Sequence, residues 1–167
     1  MRQFKWVSAV ELNRWADTVQ ARLLLPRLIR LLINATVEKS EIEHLNFPSE
    51  EETHRPGYDG ETKIKRGNAK VPDGITYWEM GTNSQVKKKL DEDYAKRLDS
   101  RGGGDFQSAS YIAITPRDYQ EKKAWCEEKQ RLGNWHEVRL YDSDDLEQWL
   151  EMAPAVGNWL SSACIQR

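Results

Sequence analysis

Two acids in this sequence sit where a carboxylate has work to do. Asp59 lies in Arg55-Pro56-Gly57-Tyr58-Asp59-Gly60, at the mouth of an expected strand and between two glycines. Glu79 lies in Tyr77-Trp78-Glu79-Met80-Gly81, inside a run otherwise built from apolar groups. A charged Glu in such a strand must face solvent or be paired, commonly with a metal. Strand alternation puts Tyr77, Glu79 and Gly81 on one face and Thr76, Trp78 and Met80 on the other. If the two strands are neighbours, Asp59 and Glu79 meet across the sheet and can share Mg²⁺, with Mn²⁺ as a substitute. Such a hard ion prefers carboxylate and water oxygens and can activate water beside a phosphodiester. The alternative is an exposed Glu on a half-buried strand and a turn-forming Asp.

Basic residues follow both acids. Lys63, Lys65, Arg66 and Lys70 come after Asp59, and Lys87-Lys88-Lys89 opens the helix expected after Glu79. Arg97 and Arg101 continue along that helix and past it. Phosphate groups are drawn to such a patch, with affinity falling steeply as salt rises. Lys63, Lys65, Arg66, Lys87, Lys88 and Arg97 are therefore the expected phosphate contacts. The competing reading is a solvated helix balanced by Asp91, Glu92 and Asp93. Three lysines at a helix N-terminus oppose the helix dipole, which favours a functional reason for them.

The elements that must position these groups follow from periodicity. Ser8-Ala9-Val10-Glu11 is a capping box, which accounts for Glu11 without enlisting it as a third metal carboxylate. Leu12, Trp15, Val19 and Leu23 recur at helical spacing, so one helix is expected from Ser8 to about residue 24. Pro26 should end or kink it, with a second helical piece through Leu28, Leu31 and Leu32. Strands are expected over 43–47, 59–64, 75–80, 111–115 and 137–141, with loops at 49–56 and 101–105. Helices are expected over about 84–98, from Thr115-Pro116 to about Arg131, and from Asp142 to Pro154. Val156, Trp159 and Leu160 should lie on a last short helix. The order is α-β-β-β-α-β-α-β-α, a three-layer α/β plan with a mixed central sheet.

Composition narrows the function classes. The 167 residues are 38% hydrophobic and 31% charged, which predicts a single domain and excludes wholesale disorder. A net charge of −2 excludes a uniformly basic coat but allows a local patch. No segment approaches the ~18 consecutive apolar residues of a membrane span. The first residues lack a signal-peptide pattern, so a cytoplasmic protein without a membrane partner is expected. Cys126 and Cys164, with His44, His54 and His136, make no zinc-ligand spacing and read as reduced core thiols and scattered imidazoles. A nucleotide-binding domain is disfavoured, because no phosphate-binding glycine motif follows a strand and Gly102-Gly103-Gly104 precedes one.

The order of elements and the two acids resemble the PD-(D/E)XK nuclease superfamily, the restriction-endonuclease-like fold. Three segments narrow the likeness: Gly57-Tyr58-Asp59-Gly60, Val71-Pro72-Asp73-Gly74-Ile75-Thr76-Tyr77-Trp78-Glu79-Met80-Gly81, and Lys89-Leu90-Asp91-Glu92-Asp93-Tyr94-Ala95-Lys96-Arg97. They resemble the Mrr-like nuclease modules at the N-termini of large bacterial NTPases, including antiviral STAND sensors. Tyr141-Asp142 and Leu146-Glu147-Gln148-Trp149-Leu150-Glu151 extend the likeness over nearly the whole chain. It implies an Mg²⁺-dependent DNA endonuclease, the effector of an anti-phage defence protein. Its implied partners are double-stranded DNA, a C-terminal NTPase or sensor region, and a second copy for double-strand cutting. Asp59 and Glu79 would hold the metal. The superfamily's lysine, two residues after the acid, is replaced here by Gly81. In this superfamily it can arrive from the following helix, where Lys89 matches the narrower group's pattern, whereas a helical wheel puts Lys87 nearer the apolar stripe. Loss of that lysine would instead leave a non-catalytic DNA- or protein-binding domain that keeps the fold.

Overall fold

The computed structural model describes residues 7–48, 58–100 and 106–165. The loops expected at 49–56 and 101–105, with Gly57 and Arg101, lie outside the described residues. Two helices come first, α1 (Ala9–Trp15) and α2 (Val19–Thr36). The strands β1 (Ile42–Asn46), β2 (Gly60–Ile64) and β3 (Gly74–Met80) follow. After α3 (Val86–Ser100) come β4 (Ser110–Ile114), α4 (Lys122–Arg131), β5 (Glu137–Tyr141), α5 (Ser143–Glu151) and α6 (Pro154–Ala163). The strands lie in sequence order in one sheet. β1 with β2 and β2 with β3 pair antiparallel, while β3 with β4 and β4 with β5 pair parallel, so the sheet is mixed.

Alternation along the strands divides the core into two layers. Trp78, Met80, Ile112, Ile114 and Tyr141 face α1, α2, α5 and α6. Tyr77, Tyr111, Ala113, Val138 and Leu140 face α3 and α4, with Leu90, Tyr94 and Trp125 above them. The three-layer α/β plan is therefore the one found. Among the described residues no helix is long and apolar enough to cross a membrane.

The entry to the fold departs from the expected helix. The chain breaks after Trp15 rather than at Pro26, because Thr18 caps a new helix. Its Oγ1 accepts from the Ala21 amide at 3.1 Å and donates to the Trp15 carbonyl at 2.7 Å. The break resets the helical phase, so Val19 is 74% exposed instead of joining the stripe of Leu12 and Trp15. Pro26 stays inside α2. A mid-helix proline costs about 3 kcal/mol. Leu25, Leu28, Ile29, Leu32 and Ile33 are all buried on this helix. At about 1.5–3 kcal/mol each, their burial outweighs the proline.

A second departure concerns residues 115–121. The threonine-proline pair was expected to start a helix, yet α4 begins only at Lys122. Thr115 Oγ1 instead accepts from the Arg117 amide at 3.2 Å. The Arg117 side chain then ties the helix layers to the end of the sheet, donating to the Thr82 carbonyl at 2.8 Å and pairing with Asp17 at 2.8 Å. These cross-layer contacts hold the segment out of helical geometry.

Candidate active-site cleft

Antiparallel pairing sets Gly60 opposite Trp78 and Glu61 opposite Tyr77, so one further step of the register sets Asp59 opposite Glu79. The close approach depends on Gly60. A β-carbon there would lie 2.2 Å from the Phe47 ring, so only glycine lets β2 start against that side chain. Asp59 Oδ2 accepts from the Met80 amide at 2.9 Å, which fixes the carboxylate beside the end of β3. Glu79 is 3% exposed and points away from Trp78 and Met80, as strand alternation demands.

Two acids buried side by side resist ionisation together. Burial pushes the Glu79 carboxyl up to about 8, and the charge of Asp59 adds to the rise, against the opposing pull of Arg97. Burial also raises Asp59, opposed by its bonds to the Met80 amide and to Glu79.

α3 supplies the remaining groups from successive turns of one face. Lys89, Asp93 and Arg97 are spaced four apart, so they stack along the helix above the acids. Lys89 Nζ donates to Asp93 Oδ1 at 3.0 Å. Its stem lies over Gly81, where a β-carbon would meet Lys89 Cε at 3.2 Å and Cγ at 3.4 Å. Arg97 pairs with Glu79, and its guanidinium also lies 5.4 Å from the centre of the Tyr58 ring. Asp93 is buried, with its Oδ1 taken up by Lys89.

These groups line a cleft of about 600 Å³ between α2 and α3 at the end of β3. Asp59 and Glu79 lie in it, Arg22 comes from α2, and Lys89, Lys96 and Arg97 come from α3. Asp59 and Glu79 thus occupy the sheet side of the cleft, with Asp93 and basic side chains on the flanking helices.

The structure brings together Asp59, Glu79, Lys89 and Arg97, and separates the other sequence candidates from them. Lys63 pairs with Glu43 at 3.3 Å, and Lys65 and Arg66 lie exposed beyond the opposite end of β2. At about 3.4 Å per residue, Arg66 is on the order of 20 Å along the chain from Asp59. Lys63, Lys65 and Arg66 therefore do not surround the acids as expected. The physical reason is that β2 carries them away from its own start. Lys87 pairs with Asp91 at 2.8 Å, and neither it nor exposed Lys88 is among the lining residues of the cleft. The balanced-helix reading thus holds for Lys87. Arg97 holds a carboxylate, where a phosphate contact was expected.

Arg22, Lys96 and Asp93 were missed as site residues. A signal existed for Asp93, which is one helical turn beyond Lys89, and for Lys96, which adjoins Arg97. Arg22 had none, because nothing local in the sequence brings α2 to the same end of the sheet as α3. Glu11 completes its capping box with Ser8 and is not among the cleft's lining residues.

Asp59 and Glu79 present hard oxygen donors in adjacent positions, a set that fits a divalent cation such as Mg²⁺. Among the described residues, Asp118, Asp142 and Asp144 also bring three carboxylates within 4.8 Å of one another. Asp142 there already caps α5, accepting from the Asp144 and Asp145 amides, and takes a bond from Lys122 at 3.1 Å. Cys126 is half-buried and Cys164 buried, both as free thiols. Comparison with protein-family models, with curated proteins and with solved structures finds no match to this chain.

Proposed function

We propose that this chain is a metal-dependent DNA endonuclease domain of the PD-(D/E)XK, Mrr-like kind, the effector part of a cytoplasmic bacterial anti-phage protein. The observation that carries the reading is the pair formed by Asp59, just before β2, and Glu79, on β3, with Lys89 folded over Gly81 beside them. Asp59 and Glu79 would hold Mg²⁺ or Mn²⁺. A bound ion would lower the pKa of a water and polarise a phosphoryl oxygen.

The chain's own groups do the rest. Asp59 is oriented by the Met80 amide, and its bond to Glu79 keeps the two carboxyl groups together in the cleft. Lys89, tethered by Asp93, would orient the attacking water and offset charge building on the phosphate. Arg22 and Lys96 would draw the phosphodiester between the two helices. A downstream NTPase or sensor region and a second copy of the chain would complete a double-strand-cutting assembly.

The rival reading is a non-catalytic domain that keeps the nuclease fold. The contact between Arg97 and Glu79 favours it, because a guanidinium already takes up Oε1 of the acid that a metal would need. Supercoiled plasmid separates the two. The nuclease reading expects nicking or linearisation with Mg²⁺ or Mn²⁺, none with EDTA, and at least about a 10²-fold loss in Asp59→Asn and Glu79→Gln. Uncut plasmid with both metals, or equal cutting by both variants, selects the non-catalytic domain.

A further inference from the structure

α2 carries Arg22, Arg27 and Arg30 and no acidic residue, in a protein whose net charge is −2. Among the described residues no carboxylate pairs with Arg22 or Arg30, and both side chains are exposed. Successive residues turn by about 100° around a helix, so Arg22, Pro26, Arg30, Leu23 and Arg27 fall within one arc of about 140°. Arg22 and Arg30 are then on the order of 12 Å apart along the axis.

This face continues the cleft that holds Asp59 and Glu79. A groove of about 410 Å³ runs on from it, lined by Arg27, Arg30, Phe47 and Pro48. The two concavities share Leu23 and Pro26 as a common wall. Arg27 is steadied by Trp159, with its guanidinium 5.7 Å from the ring centre. The result is an unbalanced row of guanidinium groups on a rigid helix, leading along a groove to a pair of acids.

We infer that this face of α2 is the track for a nucleic-acid backbone, with Arg22 and Arg30 on two phosphates that are not immediate neighbours and Arg27 beside them. Guanidinium groups bind phosphate oxygens in bidentate fashion. The apolar floor of Leu23, Pro26 and Phe47 gives the sugar edge something to rest on. The inference rests on the nuclease reading, and it moves the DNA path away from Lys63, Lys65 and Arg66. An anionic membrane surface would also attract arginines. A concave groove ending at carboxylates suits a thin polyanion better than a flat sheet of headgroups.

The test is binding of a labelled DNA duplex by fluorescence anisotropy, with Ca²⁺ in place of Mg²⁺ and over a range of salt. In Arg22→Gln/Arg30→Gln, affinity should fall about tenfold or more, and the slope of log affinity against log salt should flatten by nearly two units. Lys63→Gln/Lys65→Gln/Arg66→Gln should leave both quantities within about twofold. Both sets of changes are on exposed positions, and thermal melts should match the parent. The inference is overturned if the two sets behave alike, if the lysine set has the larger effect, or if the parent binds anionic phosphatidylserine vesicles but not DNA. Binding that depends on α2 without any cutting would keep this inference and defeat the nuclease reading. Cutting with no effect of the α2 changes would do the reverse.

Discussion

Lys89→Met is expected to lower the turnover of DNA cleavage by about 10²–10⁴-fold while leaving DNA affinity within about twofold. Lys89 lies in the cleft beside both acids, and its ammonium is held at 3.0 Å from Asp93. A group so placed acts on charge that develops during the reaction, not on the resting phosphate backbone. Methionine keeps an apolar stem over Gly81 and removes the ammonium with its bond to Asp93, and a thermal melt matching the parent checks that the fold is kept. Lys87→Met should leave turnover at the parental level, because Lys87 is bound to Asp91 on the exposed side of α3. Asp93→Asn should copy part of the Lys89 effect by loosening its anchor. A doubly substituted Gly81→Lys/Lys89→Ala protein gives a further check. The stem of Lys89 lies against the space above Gly81, where a new β-carbon would meet its Cε at 3.2 Å, and cutting Lys89 back gives a lysine at position 81 that room. Single-turnover kinetics with saturating enzyme measure the effect directly. Equal turnover in Lys87→Met and Lys89→Met would remove Lys89 from the chemistry.

Trp149→Ala should destabilise the fold by about 3–5 kcal/mol. Trp149 is fully buried and stands between α5 and the sheet. Its ring centre lies 6.1 Å from Trp78 on β3 and 6.0 Å from Tyr141 on β5, and its Nε1 donates to Thr36 Oγ1 of α2 at 3.2 Å. One side chain thus joins two strands and a second helix, and removing it leaves a cavity that none of these rigid elements can close. Trp149→Phe keeps most of the burial and loses the hydrogen bond, at about 1 kcal/mol for that bond. Urea unfolding of the two variants should show this order. A loss below about 1 kcal/mol for the alanine would mean that α5 is not fastened to the sheet in this way.

Much of this architecture was legible because the signals are local. The 137–141 strand is Glu137–Tyr141 as its alternation predicts, and the Ser8–Glu11 box closes as its spacing requires. The facing of Glu79 followed from a period of two residues, and its neighbour Asp59 followed once the two strands paired. What the sequence hid depended on distant partners. Thr115 carries helix-capping chemistry, but Arg117 uses the segment to join Thr82 and Asp17. Pro26 carries helix-breaking chemistry, but a continuous buried stripe runs through it. The basic residues near Asp59 in sequence are carried away by β2, whereas Arg22 reaches the cleft from a helix 37 positions earlier in the chain. Sequence proximity misled there because a strand separates its ends by the full length of the element.

The central claim is that Asp59 and Glu79 form one metal site, and calorimetric titration with Mn²⁺ tests it without relying on cleavage. The parent should bind with a site that Asp59→Asn and Glu79→Gln each weaken by about tenfold or more. Asparagine can still accept from the Met80 amide, so the first variant should keep the local fold. Binding should also strengthen as pH rises towards 8, because burial and the charge of Asp59 keep Glu79 protonated to about that value and the ion needs the carboxylate. Above that pH the dependence should level off. Mn²⁺ affinity that is the same in the parent and both variants, lost only when Asp118 and Asp144 are replaced by Asn, would place the ion elsewhere and contradict the account.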